Sequence, residues 1–230
     1  KYYAATPLYR KCLDLFKRVL AQDHSETATS HNKLALNLNR QGKYEAATPL
    51  YKKSLEIRER LLGEDHPDTA TSYNNLAGNL EGLGKYEAAA PLYQKSMDIR
   101  ERVLGLDHAD TAQSCNNLAG NLYDQGKYDA ALPIHQKGLE IRERLLGADH
   151  PDTAASYNSL GLNLDAQGKY EVAAQLYQKC LVIFERVLGA DHPDTATIYN
   201  NLALNHDAQG KYEAAAPLHQ KSMEIRERML

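Results

Sequence analysis

The chain has 230 residues, of which 43% are hydrophobic and 25% charged, and its formal net charge is −3. This balance lacks the basic excess typical of proteins that bind nucleic acid or anionic membranes, so we expect neither as a partner. No apolar run reaches the roughly 18 residues that span a bilayer and no signal peptide opens the chain, so we expect a cytoplasmic protein. Three cysteines without CxxC spacing indicate neither a disulfide framework nor a thiolate metal site.

The sequence repeats with a period of 42 residues. A Lys-Tyr pair recurs at Lys1, Lys43, Lys85, Lys127, Lys169 and Lys211, and a histidine recurs at His24, His66, His108, His150 and His192. We expect a single array over 1–230, with a lone second segment at 1–22 and repeats at 23–64, 65–106, 107–148, 149–190 and 191–230. Because the chain begins in the middle of this pattern, we also expect it to be part of a longer protein.

Each repeat contains two helical segments, A and B. Segment A, roughly Pro67 to Leu83, carries an apolar stripe of helical period, and segment B, roughly Lys85 to Leu104, carries a similar one. Gly84 stands between them, where a residue of positive φ can end a helix. Two helices cannot bury such faces alone, so neighbouring repeats must stack. The pattern predicts an all-α solenoid of eleven helices in antiparallel pairs, beginning and ending on a B helix.

Prolines stand about six residues into most B segments, at Pro7, Pro49, Pro91, Pro133 and Pro217, with Gln175 in this place once. A proline inside a helix removes one backbone hydrogen bond and clashes with the preceding turn, at a cost of roughly 3 kcal/mol. We therefore expect either a kink or a delayed start in these helices.

The motif DHPDTA at 149–154 recurs at 65–70 and 191–196, with DHADTA from Asp107 and DHSETA from Asp23. A histidine between two acids resembles a metal site or an acid/base pair, and serines recur a few residues later. However, ligands must lie within about 2.0–2.2 Å of one ion, and these histidines belong to separate repeats. We interpret the motif as a helix start, with Asp65 accepting from the backbone N–H of Asp68 and Asp68 reaching back, as in a capping box.

Several residues replace the tyrosine or serine of other repeats at positions that we expect to be packed. His31 and Cys115 take the place of Tyr73, His135 and His219 that of Tyr93, and Cys12 and Cys180 that of Ser96. The arginines of the RER motif, such as Arg58 and Arg60, are expected on a solvated helix face. No phosphate loop, nucleophile elbow or cluster of metal ligands occurs, so we expect no enzyme, no catalytic residue, no cofactor and no metal.

The repeat resembles the tetratricopeptide repeat, in the 42-residue form found in kinesin light chains and their bacterial relatives. The residues that carry the resemblance are NNLA at 74–77, GKYEAA at 84–89 and IRERLLGEDHPDTA at 57–70, and the match covers the whole chain. The prolines in segment B favour the bacterial relatives. The resemblance implies a right-handed superhelix whose concave face is lined by A helices and binds an extended peptide or a partner helix.

Mapped onto this chain, the resemblance places two columns of residues on that face. The first column is Asn32, Asn74, Asn116, Asn158 and Asn200, and the second is Lys33, Asn75, Asn117, Ser159 and Asn201. An asparagine amide can donate to and accept from a peptide backbone whatever its side chains are. The alternative is that asparagines tie one A helix to the next. We expect a third column to face a neighbouring helix, at Asn37, Asn79, Asn121, Asn163 and Asn205.

Charge indicates the chemistry of the partner. The expected groove carries only Lys33 and Arg40 as cations, and acids at Glu81, Asp124, Asp165 and Asp207. We therefore predict a protein or peptide ligand that is neutral or basic. The function that we infer is a non-catalytic protein-interaction scaffold. Two alternatives are self-association through ends that lack a polar capping helix, and the sensor arm of a larger signalling protein.

Overall fold

The computed structural model describes residues 2–20 and 24–228. Lys1, which begins the Lys-Tyr series, and Asp23, which begins DHSETA, lie outside the described residues, as do the last two residues. Within these ranges every regular element is an α-helix, which confirms the predicted class. The eleven helices are α1 (Tyr2–Val19), α2 (Ser25–Asn39), α3 (Tyr44–Leu62), α4 (Pro67–Gly82), α5 (Tyr86–Leu104), α6 (Ala109–Asp124), α7 (Tyr128–Leu146), α8 (Pro151–Ala166), α9 (Tyr170–Val187), α10 (Pro193–Ala208) and α11 (Tyr212–Glu227).

Within α1 to α6 and within α7 to α11, helices that are consecutive in sequence pack against each other. The odd-numbered helices are the B helices and the even-numbered ones the A helices, and A–B pairs such as α2 with α3 and α8 with α9 make extensive contacts. The chain divides into two compact units between Gln125 and Gly126, with α1 to α6 in the first and α7 to α11 in the second. The expectation of a single array with five full repeats stays a prediction.

Each unit has its own apolar core. In the first unit Leu34, Tyr51 and Leu76 belong to one buried cluster, and in the second unit Tyr177 and Leu202 belong to another. Alanines at the helix contacts are fully buried, as Ala77 and Ala89 are, so the backbones of A and B helices approach closely. Burial of these stripes is the main stabilising contribution, at about 25 cal/mol for each Å² of apolar surface removed from water.

The helices end where the glycines predict. Gly84, between α4 and α5, has φ of 70°, and Gly105, after α5, has φ of 87°. Both angles lie in the left-handed region that favours glycine. The sequence therefore places the boundaries of these helices to within a residue or two.

The prolines do not delay the start of the B helices. α5 begins at Tyr86 and contains Pro91, and α9, which has Gln175 instead, begins at the equivalent Tyr170. Of the two expected outcomes, the delayed start is therefore wrong, and the kink stays a prediction. Pro91 is exposed, so the carbonyl that it leaves without a backbone donor lies at a solvated face of the helix, where water can satisfy it.

Most of the substituted packing positions are buried as predicted. Cys115 and Cys180 have no exposed surface, and His31 and His135 are each 4% exposed. Cys12 is exposed, and its predicted burial is wrong. The equivalent Ser54 is buried against α2, the A helix that precedes α3, and its hydroxyl donates to the Ala28 carbonyl of that helix. By contrast, α1 packs mainly against α2, the helix that follows it.

Candidate functional site

We call the side chains of the first and second asparagine columns the A face, and describe it separately in the two units. In the first unit it lies on α2, α4 and α6, and in the second on α8 and α10. All the asparagines of these columns are partly exposed, and Lys33 is exposed. The structure therefore places every predicted ligand-contacting residue where solvent reaches it.

The two columns are joined by amide hydrogen bonds between successive A helices. Asn75 Nδ2 donates to Asn32 Oδ1 at 2.9 Å, and Asn117 Nδ2 donates to Asn74 Oδ1 at 2.6 Å. In the second unit Asn201 Nδ2 donates to Asn158 Oδ1 at 2.9 Å. The alternative interpretation, in which asparagines tie A helices together, is thus correct for these three pairs.

The amide pairs do not use all of their hydrogen-bonding groups. Within the described residues, the Nδ2 groups of Asn32 and Asn74 have no acceptor, and Oδ1 of Asn75 has no donor. Ser159, which replaces asparagine once, donates instead to the Ala155 carbonyl of its own helix at 3.1 Å. The Asn32–Asn75 pair thus presents a fixed donor close to a fixed acceptor, which is the complement of a peptide group, whereas Asn117 Oδ1 already accepts from Gln113 Nε2 at 2.8 Å.

The third column faces neighbouring helices, as predicted. Its five asparagines are at most 5% exposed. Asn79 Nδ2 donates to Thr48 Oγ1 at 2.7 Å, and Asn205 Nδ2 donates to the Tyr170 carbonyl at 3.0 Å. A glutamine four residues on, which the sequence pattern did not single out, completes the site, since Gln209 Nε2 donates to Asn205 Oδ1 at 2.6 Å. The recurrence of Asn and Gln at i and i+4 was the available signal.

The acids at the end of the A helices are bonded within the chain. Glu81 accepts from the Tyr93 hydroxyl at 2.7 Å and from Asn121 Nδ2 at 2.8 Å. Asp165 accepts from Asn205 Nδ2 at 2.6 Å, and burial raises the pKa of its carboxyl. These carboxylates bind groups of the chain itself, so they support a basic ligand less directly than the sequence suggested.

The DHPDTA motif begins an A helix, but its capping residue is the histidine. His66 is the N-cap of α4, and its Nδ1 accepts from the Asp68 backbone N–H at 3.1 Å. The other copies do the same, at His24, His108, His150 and His192. The predicted cap at Asp65 is wrong because α4 begins at Pro67, so Asp65 lies one residue too early.

The remaining letters of the motif fasten the A helix to its surroundings. Thr69 Oγ1 donates to the Gly63 carbonyl at 2.8 Å, which holds the first turn of α4 against the end of α3. The first aspartate pairs with the arginine that ends the next RER motif, or the FER motif at 184–186. Asp149 lies 3.2 Å from Arg186 in this way, and Asp191 lies 3.1 Å from Arg228. The motif is a joint in which each polar residue has a partner.

The first arginine of the RER motif is also part of this joint. Arg58 Nη1 donates to the Asp68 carbonyl and to Ser72 Oγ, both at 2.9 Å. Arg100 is only 6% exposed, and burial lowers the pKa of its guanidinium. The expectation of a solvated arginine face is wrong for these two residues, because the next A helix offers a carbonyl and a serine in reach.

Tyrosines of the A helices contact charged residues of both flanking B helices. The Tyr73 hydroxyl donates to Glu59 of α3, and Lys95 of α5 lies 4.6 Å over the Tyr73 ring. Tyr199 is bonded to Glu185 and lies under Lys221 in the same way. These contacts join three successive helices and explain why an aromatic residue recurs at this place.

No cluster of metal ligands stands out in the part of the chain that the structure describes: no three His, Cys, Asp or Glu side chains there could hold an ion together. No helix within the same ranges is both long and apolar enough to cross a membrane.

Comparison with known proteins gives a family-level match along the chain. The family model described as tetratricopeptide repeat matches residues 1–59, 26–102, 73–143, 110–181 and 173–228. No significant match was found among curated proteins.

Solved structures with helix-pair repeats resemble the chain in fold. BtubC (BKLC) from P. vanneervenii superposes with a TM-score of 0.84 at 20% identity, covering 100% of this chain and 92% of that one. A Podosopora anserina protein described as a kinesin light chain with nearly identical TPR-like repeats gives 0.78 at 23% identity, covering 90% and 98%. MamA from Desulfovibrio magneticus RS-1 gives 0.63 at 19% identity, covering 87% and 96%.

Proposed function

The chain belongs to the tetratricopeptide repeat family, and we propose on this premise that it is a scaffold that binds a protein partner on its A face. Proteins of this family are commonly non-catalytic and bind other proteins. The ligand that we propose is an extended peptide or a partner helix lying across the A helices of a unit. It contacts the first two columns, Asn32, Asn74, Asn116, Asn158 and Asn200 with Lys33, Asn75, Asn117, Ser159 and Asn201.

The observation that carries this proposal is the set of amide pairs. Asn75 and Asn32 fix each other at 2.9 Å, so the amides lose little conformational entropy when a ligand arrives. The Nδ2 group of Asn32 and Oδ1 of Asn75 remain for the ligand. A donor and an acceptor held side by side match the C=O and N–H of an extended backbone, which favours a contact that tolerates varied side chains.

Charged residues toward the C-terminal ends of the A helices, together with Lys33 of the A face, favour a neutral or basic ligand. Lys33 and Arg40 lie at the α2 end of the first unit, and Glu81 and Asp124 belong to the next two A helices. The second unit has Asp165 and Asp207 at the equivalent places. An acidic ligand would meet repulsion from these carboxylates over most of its length, so we expect it to bind less well.

An aspartate substitution separates binding from folding. Asn74→Asp and Asn158→Asp keep the Oδ1 that accepts from Asn117 or Asn201 but remove the unused Nδ2 donor. We expect the double variant to remain folded and to lose the partners that the unchanged chain captures from a lysate of the source cell. Ala88→Glu with Ala214→Glu, at exposed positions on B helices, adds the same charge elsewhere and should keep those partners. Retention of every partner by the Asn74→Asp and Asn158→Asp variant would show that the ligand does not use these donors.

A second candidate function is self-association through the terminal helices. On α1, Leu15 is 52% exposed although the equivalent Ile57 is fully buried, and on α11, Met223 is 55% exposed although Met97 is 7% exposed. Such apolar surface favours contact with another chain. Light-scattering mass measured over a range of concentrations tests this, with Leu15→Glu and Met223→Glu as variants expected to abolish any rise in mass.

A further inference from the structure

A shallow, mostly apolar cavity lies against α9 in the second unit. It has a volume of about 500 Å³ and is lined by Ala148, Asp149, Tyr157, Gln175, Gln178, Lys179, Val182 and Ile183. Five of these residues belong to α9, a B helix, whereas the A face of this unit lies on α8 and α10. The cavity is therefore separate from the site proposed above and does not rest on it.

Val182 and Gln175, which line this cavity, differ from their equivalents in every other full repeat. Val182 is 52% exposed and stands where the other B helices of full repeats carry an acid, at Glu56, Asp98, Glu140 and Glu224. Ala148 stands where Glu64 is found, and Gln175 replaces the recurrent proline. An exposed valine in place of an acid is not needed to hold α9 in its fold, because four equivalent helices form with a carboxylate there.

One lysine at the cavity has no carboxylate at ion-pair distance. Lys95 Nζ donates to Glu64 Oε2 at 2.8 Å, and Lys221 Nζ lies 3.4 Å from Glu185 Oε1. The equivalent Lys179 lies 5.4 Å over the Tyr157 ring and has no acid within ion-pair distance among the described residues. The place equivalent to Glu64 is Ala148 in this repeat.

The one acid on the cavity wall is already neutralised. Asp149 Oδ1 lies 3.2 Å from Arg186 Nη2, and this pair contributes no net charge. Glu143 accepts the Tyr157 hydroxyl and is not part of the cavity wall. The cavity thus combines a mostly apolar wall with Lys179, which has no acid at ion-pair distance among the described residues.

We propose that this cavity binds an acidic segment of a partner protein in which a carboxylate meets Lys179 and a branched aliphatic side chain packs on Val182. The carboxylate supplies the ion pair that Glu64 makes with Lys95, and the aliphatic group covers the exposed valine. Opposite charges in this setting give specificity for an acidic over a basic segment, and the apolar contact contributes by area.

Short fluorescent peptides test the proposal by anisotropy. The probes are an alternating Leu-Glu peptide, a Leu-Lys peptide and a Ser-Glu peptide. The unchanged chain should bind the Leu-Glu peptide at least about tenfold more tightly than either of the others. Higher salt should weaken that binding, because Lys179 is exposed and its charge is screened.

Matched variants assign the binding to the cavity. Ala148→Glu and Val182→Asp install residues that other repeats carry, so the fold is retained, and each should weaken the Leu-Glu peptide about tenfold. Ala190→Glu, the same change one repeat later, should have no effect, and Lys179→Glu should shift preference to the Leu-Lys peptide. Absence of Leu-Glu binding by the unchanged chain, or equal binding of that peptide by the Ala148→Glu variant, overturns the proposal.

Discussion

Arg100 Nη1 donates to Ser114 Oγ at 2.9 Å, across the contact between α5 and α6. Arg58 with Ser72 and Arg142 with Ser156 repeat this bond. At the contact between α9 and α10 the same two places hold Phe184 and Ile198, which are 7% and 2% exposed and belong to one apolar cluster. The contact between a B helix and the next A helix is therefore polar in three places of the chain and apolar in one.

These two kinds of contact predict that substitutions at positions 100 and 114 have strongly non-additive effects on the free energy of unfolding. Ser114→Ile alone leaves a buried guanidinium with one partner fewer and should cost about 2–4 kcal/mol of unfolding free energy. Arg100→Phe alone removes the charge and should cost less, about 1–2 kcal/mol. The double variant should lie within about 1 kcal/mol of the unchanged chain, since it reproduces the Phe184 and Ile198 contact. Urea unfolding of the four proteins measures the cycle, and additive effects would contradict the prediction.

The histidine caps predict a second result. His150→Ala removes the acceptor for the Asp152 backbone N–H, which lies 3.1 Å from Nδ1, and should destabilise the protein by about 0.5–2 kcal/mol. His150→Asn offers a side-chain oxygen in the same place and should restore most of this loss. Thermal unfolding followed by circular dichroism distinguishes the two. If His150→Asn is as unstable as His150→Ala, the imidazole contributes through packing rather than capping.

Two buried histidines predict that acid destabilises the fold. Burial lowers the pKa of His135 to about 4, and burial with the charges of Lys17 and Lys53 lowers that of His31 to about 4. Between pH 6.5 and 4 the unfolded chain binds protons that the folded chain excludes, so stability is complete above about 6.5 and falls as the pH drops through this window. The loss should be on the order of 2 kcal/mol for each histidine.

A repeat-matched variant isolates this effect. His135→Tyr installs the residue found at Tyr51, Tyr93 and Tyr177, and should flatten the pH dependence of unfolding by about half between pH 6.5 and 4. Denaturant unfolding at several pH values provides the measurement. An unchanged slope in this variant would mean that other groups titrate in this window.

The interior prolines predict that one substitution stabilises the chain. Pro91→Gln supplies a backbone N–H in α5 and matches Gln175 of α9, so we expect a gain of up to about 3 kcal/mol. Pro91 is exposed, and the added side chain meets no packed neighbour. Denaturation midpoints measure the gain, with Gln175→Pro expected to show a loss of similar size. A stability loss in Pro91→Gln would mean that the ring itself contributes to packing.

The sequence predicts the helix boundaries well, and the caps and contacts between helices less well. Helical period and the glycines suffice for the boundaries of helices such as α4 and α5, because both depend on neighbouring residues alone. The predicted N-cap was Asp65 rather than His66, because Asp65, His66 and Asp68 are all polar residues that can cap a helix. Only the first residue of α4, Pro67, determines which of them is the N-cap. The Asn32–Asn75 pair and the burial of Arg100 join different helices, so they depend on how the repeats stack. Whether the Asn columns bind a ligand stays a prediction.

The hydrogen bonds between neighbouring repeats also affect how such a chain can gain repeats by duplication. The amide pairs join residues 43 apart, and the Arg–Ser bonds join residues 14 apart. A duplication of 42 residues would recreate both kinds of bond at the new boundary without inventing an interface. Contacts this local also shorten the conformational search, so we expect rapid folding that starts in any repeat and spreads to its neighbours.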